Sequence, residues 1–120
     1  MEDFEKIYID GVCVIAVNVC RSTIKEASVF RRLIEEELNA KHTKLVIDLT
    51  KCEHIDSTFF GSIIMALNMT NDMGEKLKVV KPANTPEDIF RTTNTLELFD
   101  LYKTREDAIK SFESDFQSKN

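Results

Sequence analysis

Two β-branched apolar runs, Ile7-Tyr8-Ile9 and Val12 to Val17, stand on either side of Asp10-Gly11. An Asp-Gly pair supplies the positive φ values that a two-residue turn requires, so the chain is predicted to open with a β-hairpin. From Ser22 the apolar period changes. Ala27, Phe30, Leu33, Ile34 and Leu38 recur at helical spacing and share one face, which predicts a helix ending near Asn39. Lys44 to Leu49 is bounded by polar residues and too short for a helix, so it reads as a buried strand. A second helix follows, with Asp56 or Ser57 suited to cap its start and Gly74 to stop it. At about 100° per residue, Phe60, Ile63, Ile64 and Leu67 fall on one face of that helix. Phe59, Ser62, Ala66, Met69 and Met73 fall on a second, roughly opposite face.

Leu77 to Val80 is the next predicted strand, ended by Lys81-Pro82. Thr85-Pro86-Glu87-Asp88 has a cap, a first-position proline and acids in the first turn, and predicts a helix bearing Ile89 and Phe90. Leu96, Leu98, Phe99 and Tyr102 form a further apolar segment. Thr104-Arg105-Glu106-Asp107 then opens a last helix with Ala108, Ile109 and Phe112 inward, and the polar tail from about Ser114 is expected to fray. A hairpin followed by strands that alternate with helices predicts an α/β fold: a mixed four- or five-stranded sheet with right-handed crossovers, covered by about four helices.

Composition narrows the function. The 120 residues suit a single domain over 1–120, and 31% charged with 42% hydrophobic residues is ordinary globular usage. A net charge of -5 with scattered Lys and Arg argues against a nucleic-acid surface. No apolar run reaches the roughly 18 to 20 residues of a bilayer span, and the opening MEDFEKIYID lacks signal-peptide character, so a cytoplasmic protein with no membrane contact is expected. Cys13, Cys20 and Cys52 lack C-x-x-C spacing and have only His42 and His54 as companions. Reduced thiols, no metal and no cofactor are the expectation.

The loop Ile55-Asp56-Ser57-Thr58 raises the question of Ser57. As a nucleophile it would need a base and oxyanion donors. His54 is near in sequence, but there is no G-x-S-x-G elbow, and Gly11, Gly61 and Gly74 are too dispersed to cradle a phosphate. The acidic groups Glu35-Glu36-Glu37 and Glu87-Asp88 lie on amphipathic helices, where solvated faces account for them. Asp48 with Lys81-Pro82 imitates a phosphate-accepting receiver, yet the acid pair that would hold a divalent cation is missing, with only Asp10 in a turn. An enzyme is not expected. From the residues alone, the helix cap is the favoured reading of Ser57.

Val46-Ile-Asp-Leu-Thr-x-x-x-x-Ile55-Asp56-Ser57-Thr58-x-x-Gly61 resembles the signature of the STAS domain found in bacterial anti-sigma factor antagonists. The opening hairpin, Gly74-x-x-Leu77-x-Val79, Thr93-Asn94, and Leu98-Phe99 before Thr104-x-x-x-Ala108 extend the likeness over nearly the whole chain. The resemblance implies a phosphorylation-controlled switch in which Ser57 is the phosphorylated residue. The unmodified chain would bind an anti-sigma factor that is also a serine kinase of the histidine-kinase-like ATPase fold; phosphorylation would end the complex, and a PP2C-type phosphatase would restore it. Asp56, Ser57, Thr58, Phe59, Ser62 and Met69, with Ser22 and Thr23 at the start of the first helix, are the expected partner surface of a monomer or weak dimer. Phe59 replaces a family glycine, and Asn18-Val19-Cys20-Arg21 replaces a Gly-x-x-Asp. A scaffold or nucleotide-sensing subunit of the same fold is the alternative.

Overall fold

Asp10 and Gly11 take φ of 53° and 80°, the paired left-handed conformations of a tight hairpin turn. They join β1 (Phe4–Ile9) to β2 (Val12–Val17) in an antiparallel pair. The computed structural model describes residues 3–18, 24–52, 57–82 and 99–118. After the hairpin come α1 (Ile24–Asn39), β3 (Leu45–Asp48), α2 (Ser57–Asp72), β4 (Leu77–Val80), β5 (Phe99–Tyr102) and α3 (Arg105–Ser118). The five strands lie side by side in chain order, and every pairing after the hairpin is parallel.

That order decides where the helices go. Successive right-handed crossovers advancing in one direction place α1 and α2 on the same face of the sheet. There Phe30 and Ile34 of α1 and Phe59, Ile63, Ala66 and Leu67 of α2 pack on Ile15, Val17, Leu45, Ile47, Leu77 and Val79. Alternate residues of the same strands, Val12, Val14, Val46 and Val80, point to the other face and meet Ala108 and Phe112 of α3. Strand β2 is buried at every position, which explains its unbroken apolar run. Gly74, at φ 84°, follows α2, and the Thr104 hydroxyl accepts from the Asp107 amide at 3.1 Å to cap α3.

Two expectations change and one is not addressed. Helix α3 continues to Ser118 instead of fraying from Ser114. Helix α2 has one broad buried arc, Phe59, Ile63, Ala66, Leu67 and Thr70, centred between the two predicted faces. Its rims, Phe60 and Ile64 on one side and Ser62 and Met69 on the other, are half-buried, and Met73 is exposed. The helix predicted from Thr85 lies outside the described residues. No helix among the described residues is long and apolar enough to cross a membrane.

Polar ties lock the layers. Glu37 near the end of α1 is buried, and its Oε2 accepts from Lys6 Nζ at 2.9 Å and Tyr8 OH at 2.8 Å, while His42 Nδ1 lies 3.2 Å from Oε1. Burial pushes this carboxyl up, but hydrogen bonds from Lys6, Tyr8, His42 and Cys13 outweigh it and hold the group at about 2. Burial, with the Glu37 charge beside it, pushes the Cys13 thiol up to about 12. On the opposite face the fully buried Lys78 places its ammonium 4.5 Å from the Phe112 ring centre and 3.6 Å from Asp100 Oδ2.

Candidate functional site

The loop that leads to Ser57 leaves the sheet at the carboxyl end of β3, the end where ligands and partners of parallel sheets usually approach. Its first residues are firmly held. Asp48 is 4% exposed, and Oδ1 accepts from the Thr50 amide at 3.0 Å and the Thr50 hydroxyl at 2.8 Å. Its Oδ2 accepts from Arg105 Nε at 2.8 Å, a buried charge neutralised by a partner fifty-seven residues away at the start of α3. Leu49 donates its amide to Val80 O at 2.9 Å, and Cys52 bonds back to Leu49 O at 2.9 Å and points its thiol at Val17 O, 3.7 Å away. The base of the loop is thereby stitched to β2, β4 and α3. These contacts give Asp48 a structural role, with a donor on each of its oxygens.

Ser57 is the first residue of α2. Thr58 beside it is exposed, and Ser62, half-buried one turn on, donates its hydroxyl to Thr58 O at 3.4 Å. Phe59 is not a surface residue. It is 0% exposed, with its ring centre 5.0 Å from that of Phe30 and 6.2 Å from that of Phe4. The expectation that Phe59 touches a partner is therefore corrected: an aromatic replacing a family glycine at this position turns inward and fills the space under α1. Met69 is half-buried and packs against the same core. Asp56, Ser22, Thr23, His54 and Cys20 lie outside the described residues.

Helices α1 and α2 leave a shallow groove of about 250 Å³ beside Ser57, lined by Ala27, Ser28, Arg31, Thr58, Gly61, Ser62 and Met65. Arg31 and Met65 went unnoticed in the sequence, because only the packing of two helices distant in the chain brings them together. A second hollow of about 270 Å³ lies at the other end of the sheet, between the hairpin turn, Lys44 and α3. Among the described residues there is no group of three or more His, Cys, Asp or Glu able to hold a metal. Cys13 and Cys52 are buried and in no disulfide. The described surface thus has the exposed Thr58 and the half-buried Ser62 of α2 on the wall of the groove between α1 and α2.

The family profile of the STAS domain matches residues 4–108. A Thermotoga neapolitana protein, named as a homologue of the anti-sigma factor antagonist TM1081, is 27% identical over 88 residues, 72% of this chain and 78% of its own length. The solution structure of TM1081 superposes with a TM-score of 0.78 at 25% identity, covering 92% of this chain and 88% of that one; a crystal structure of the same protein gives its source as Thermotoga maritima. The Bacillus protein SpoIIAA, an anti-sigma factor antagonist, shares the fold at 14% identity. Its unphosphorylated form matches with a TM-score of 0.74, covering 92% of this chain and 97% of that one, and its phosphorylated form with 0.73, covering 91% and 98%.

Proposed function

The chain belongs to the STAS domain family, and from that premise we propose that it is a one-domain, cytoplasmic anti-sigma factor antagonist that works by reversible binding and performs no catalysis. The unphosphorylated chain binds an anti-sigma factor that is also a serine kinase of the histidine-kinase-like ATPase fold. Phosphorylation of Ser57 ends the complex, and a PP2C-type phosphatase restores it. The observation that carries this reading is the position of Ser57 at the first residue of α2, behind a loop base tied to three other elements. A serine at a helix start beyond a well-tied loop base supports a modification that leaves the sheet beneath it folded.

Phosphate adds about -1.5 to -2 charges at a helix start, where the dipole and free amides favour an anion by about 0.3 to 1 kcal/mol. Locally the fold accommodates it, and the equal likeness to both forms of SpoIIAA agrees with a switch that preserves the fold. An interface formed around a neutral hydroxyl has no such relief, because desolvating an unpaired charge costs several kcal/mol. Each 1.4 kcal/mol is about tenfold in affinity, so phosphorylation is expected to weaken binding by about two decades or more. Asp56, Thr58, Ser62, Met69, Ser22 and Thr23 complete the proposed contact surface.

Calorimetry with a serine kinase of the histidine-kinase-like ATPase fold from the same organism tests the proposal. Ser57→Ala is expected to bind whether or not ATP is present, and Ser57→Asp to bind weakly while keeping the parent's melting curve. Phosphate mapped chiefly to Thr58 or Ser62, or equal affinity of modified and unmodified chains, overturns it.

A further inference from the structure

Charge is distributed unevenly around the groove between α1 and α2. The chain is acidic overall, with 21 Asp and Glu against 16 Lys and Arg. Yet the first nine residues of α1 carry Lys25, Arg31 and Arg32 against one acid, Glu26, before the acidic run Glu35 to Glu37, and α2 has no charged residue before Asp72 at its end. Both helices follow parallel strands and run in the same direction, so this stretch of α1 flanks the half of α2 that begins with Ser57. Arg31 lines the groove and is exposed. Its ion pair with Glu35, 3.0 Å apart on one helix, is solvent-screened and holds the guanidinium weakly.

Gly61 supplies an independent observation. It lies inside α2, where glycine weakens a helix relative to alanine, and a Cβ built on it meets nothing within 4 Å. Its φ is not in the left-handed region, so neither turn geometry nor internal packing requires glycine there. A bare backbone on the groove wall leaves room for close approach from outside. Met65, half-buried on the same wall, is an adaptable apolar contact.

We propose that this groove seats an acidic helix of the partner kinase, with a carboxylate paired to Arg31 and the helix backbone close against Gly61. The inference rests on the partner-switching reading and adds the electrostatic sign of the partner. It also accounts for release: a phosphate on Ser57 offsets the basic flank that attracts the carboxylates, so attraction and desolvation change in the same sense.

Affinities of the full chain and its variants for that same kinase, measured by calorimetry at two salt concentrations, test the seat. Arg31→Glu is expected to lose about tenfold or more in affinity, mostly at low salt, whereas Arg32→Glu, with the same charge change outside the groove, loses less. Gly61→Ala is expected to melt at or above the parent's temperature yet bind several-fold more weakly, a combination that a purely structural glycine does not produce. Parent-like affinity of both Arg31→Glu and Gly61→Ala overturns the groove while leaving the Ser57 switch standing. No binding by the unmodified parent and by Ser57→Ala overturns the switch itself.

Discussion

At neutral pH the Glu37 carboxylate is charged in folded and unfolded chains alike, but only the folded chain surrounds it with donors. Its folded value of about 2 lies below the ordinary 4.5, so its contribution is complete above about pH 4.5 and disappears as the pH falls toward 2. The shift corresponds to a contribution on the order of 3 kcal/mol. Glu37→Gln is therefore expected to lower stability in urea at pH 7 and to differ much less from the parent near pH 3. An equal loss at both pH values would show that shape and not charge is at stake. Residue identity was legible in unequal measure here. Glu35-Glu36-Glu37 reads as a solvated acidic run, yet Glu37 turns inward, since Lys6, Tyr8 and His42 become its neighbours only after the hairpin packs on α1. Asp48 offers the same lesson, because its partner Arg105 enters from the far end of the chain.

Helix α2 shows what periodicity conveys about an element and what it omits. Its start, its stop at Gly74 and its apolar excess were all readable, but two apolar faces were predicted where one buried arc exists. A helix held between a sheet and a neighbouring helix buries the arc that faces both, and the centre of burial falls between the two stripes. Phe59 lies in that centre with Phe4 and Phe30. Phe59→Ala is expected to cost about 3 to 5 kcal/mol in urea denaturation, as truncation of a buried aromatic does. A loss below about 1 kcal/mol would return this residue to the surface.

Across the whole molecule, α1 and α2 cover one face of the sheet and α3 covers the other, and the described residues supply no metal cluster to brace them. Dialysis against a strong chelator is expected to leave the melting midpoint unchanged; a fall of several degrees would reveal a structural ion. The sequence by itself determined the hairpin turn, the order of elements and the position of Ser57 at a helix start, because φ preferences, period and capping act over a few neighbouring residues. Only the tertiary structure decided that Phe59 is core, that Asp48 and Glu37 are buried ions with distant partners, and that Arg31, Gly61 and Met65 share a groove. Those outcomes depend on which strands and helices become neighbours in space, and burial and ion pairing across tens of residues leave no periodic mark along the chain.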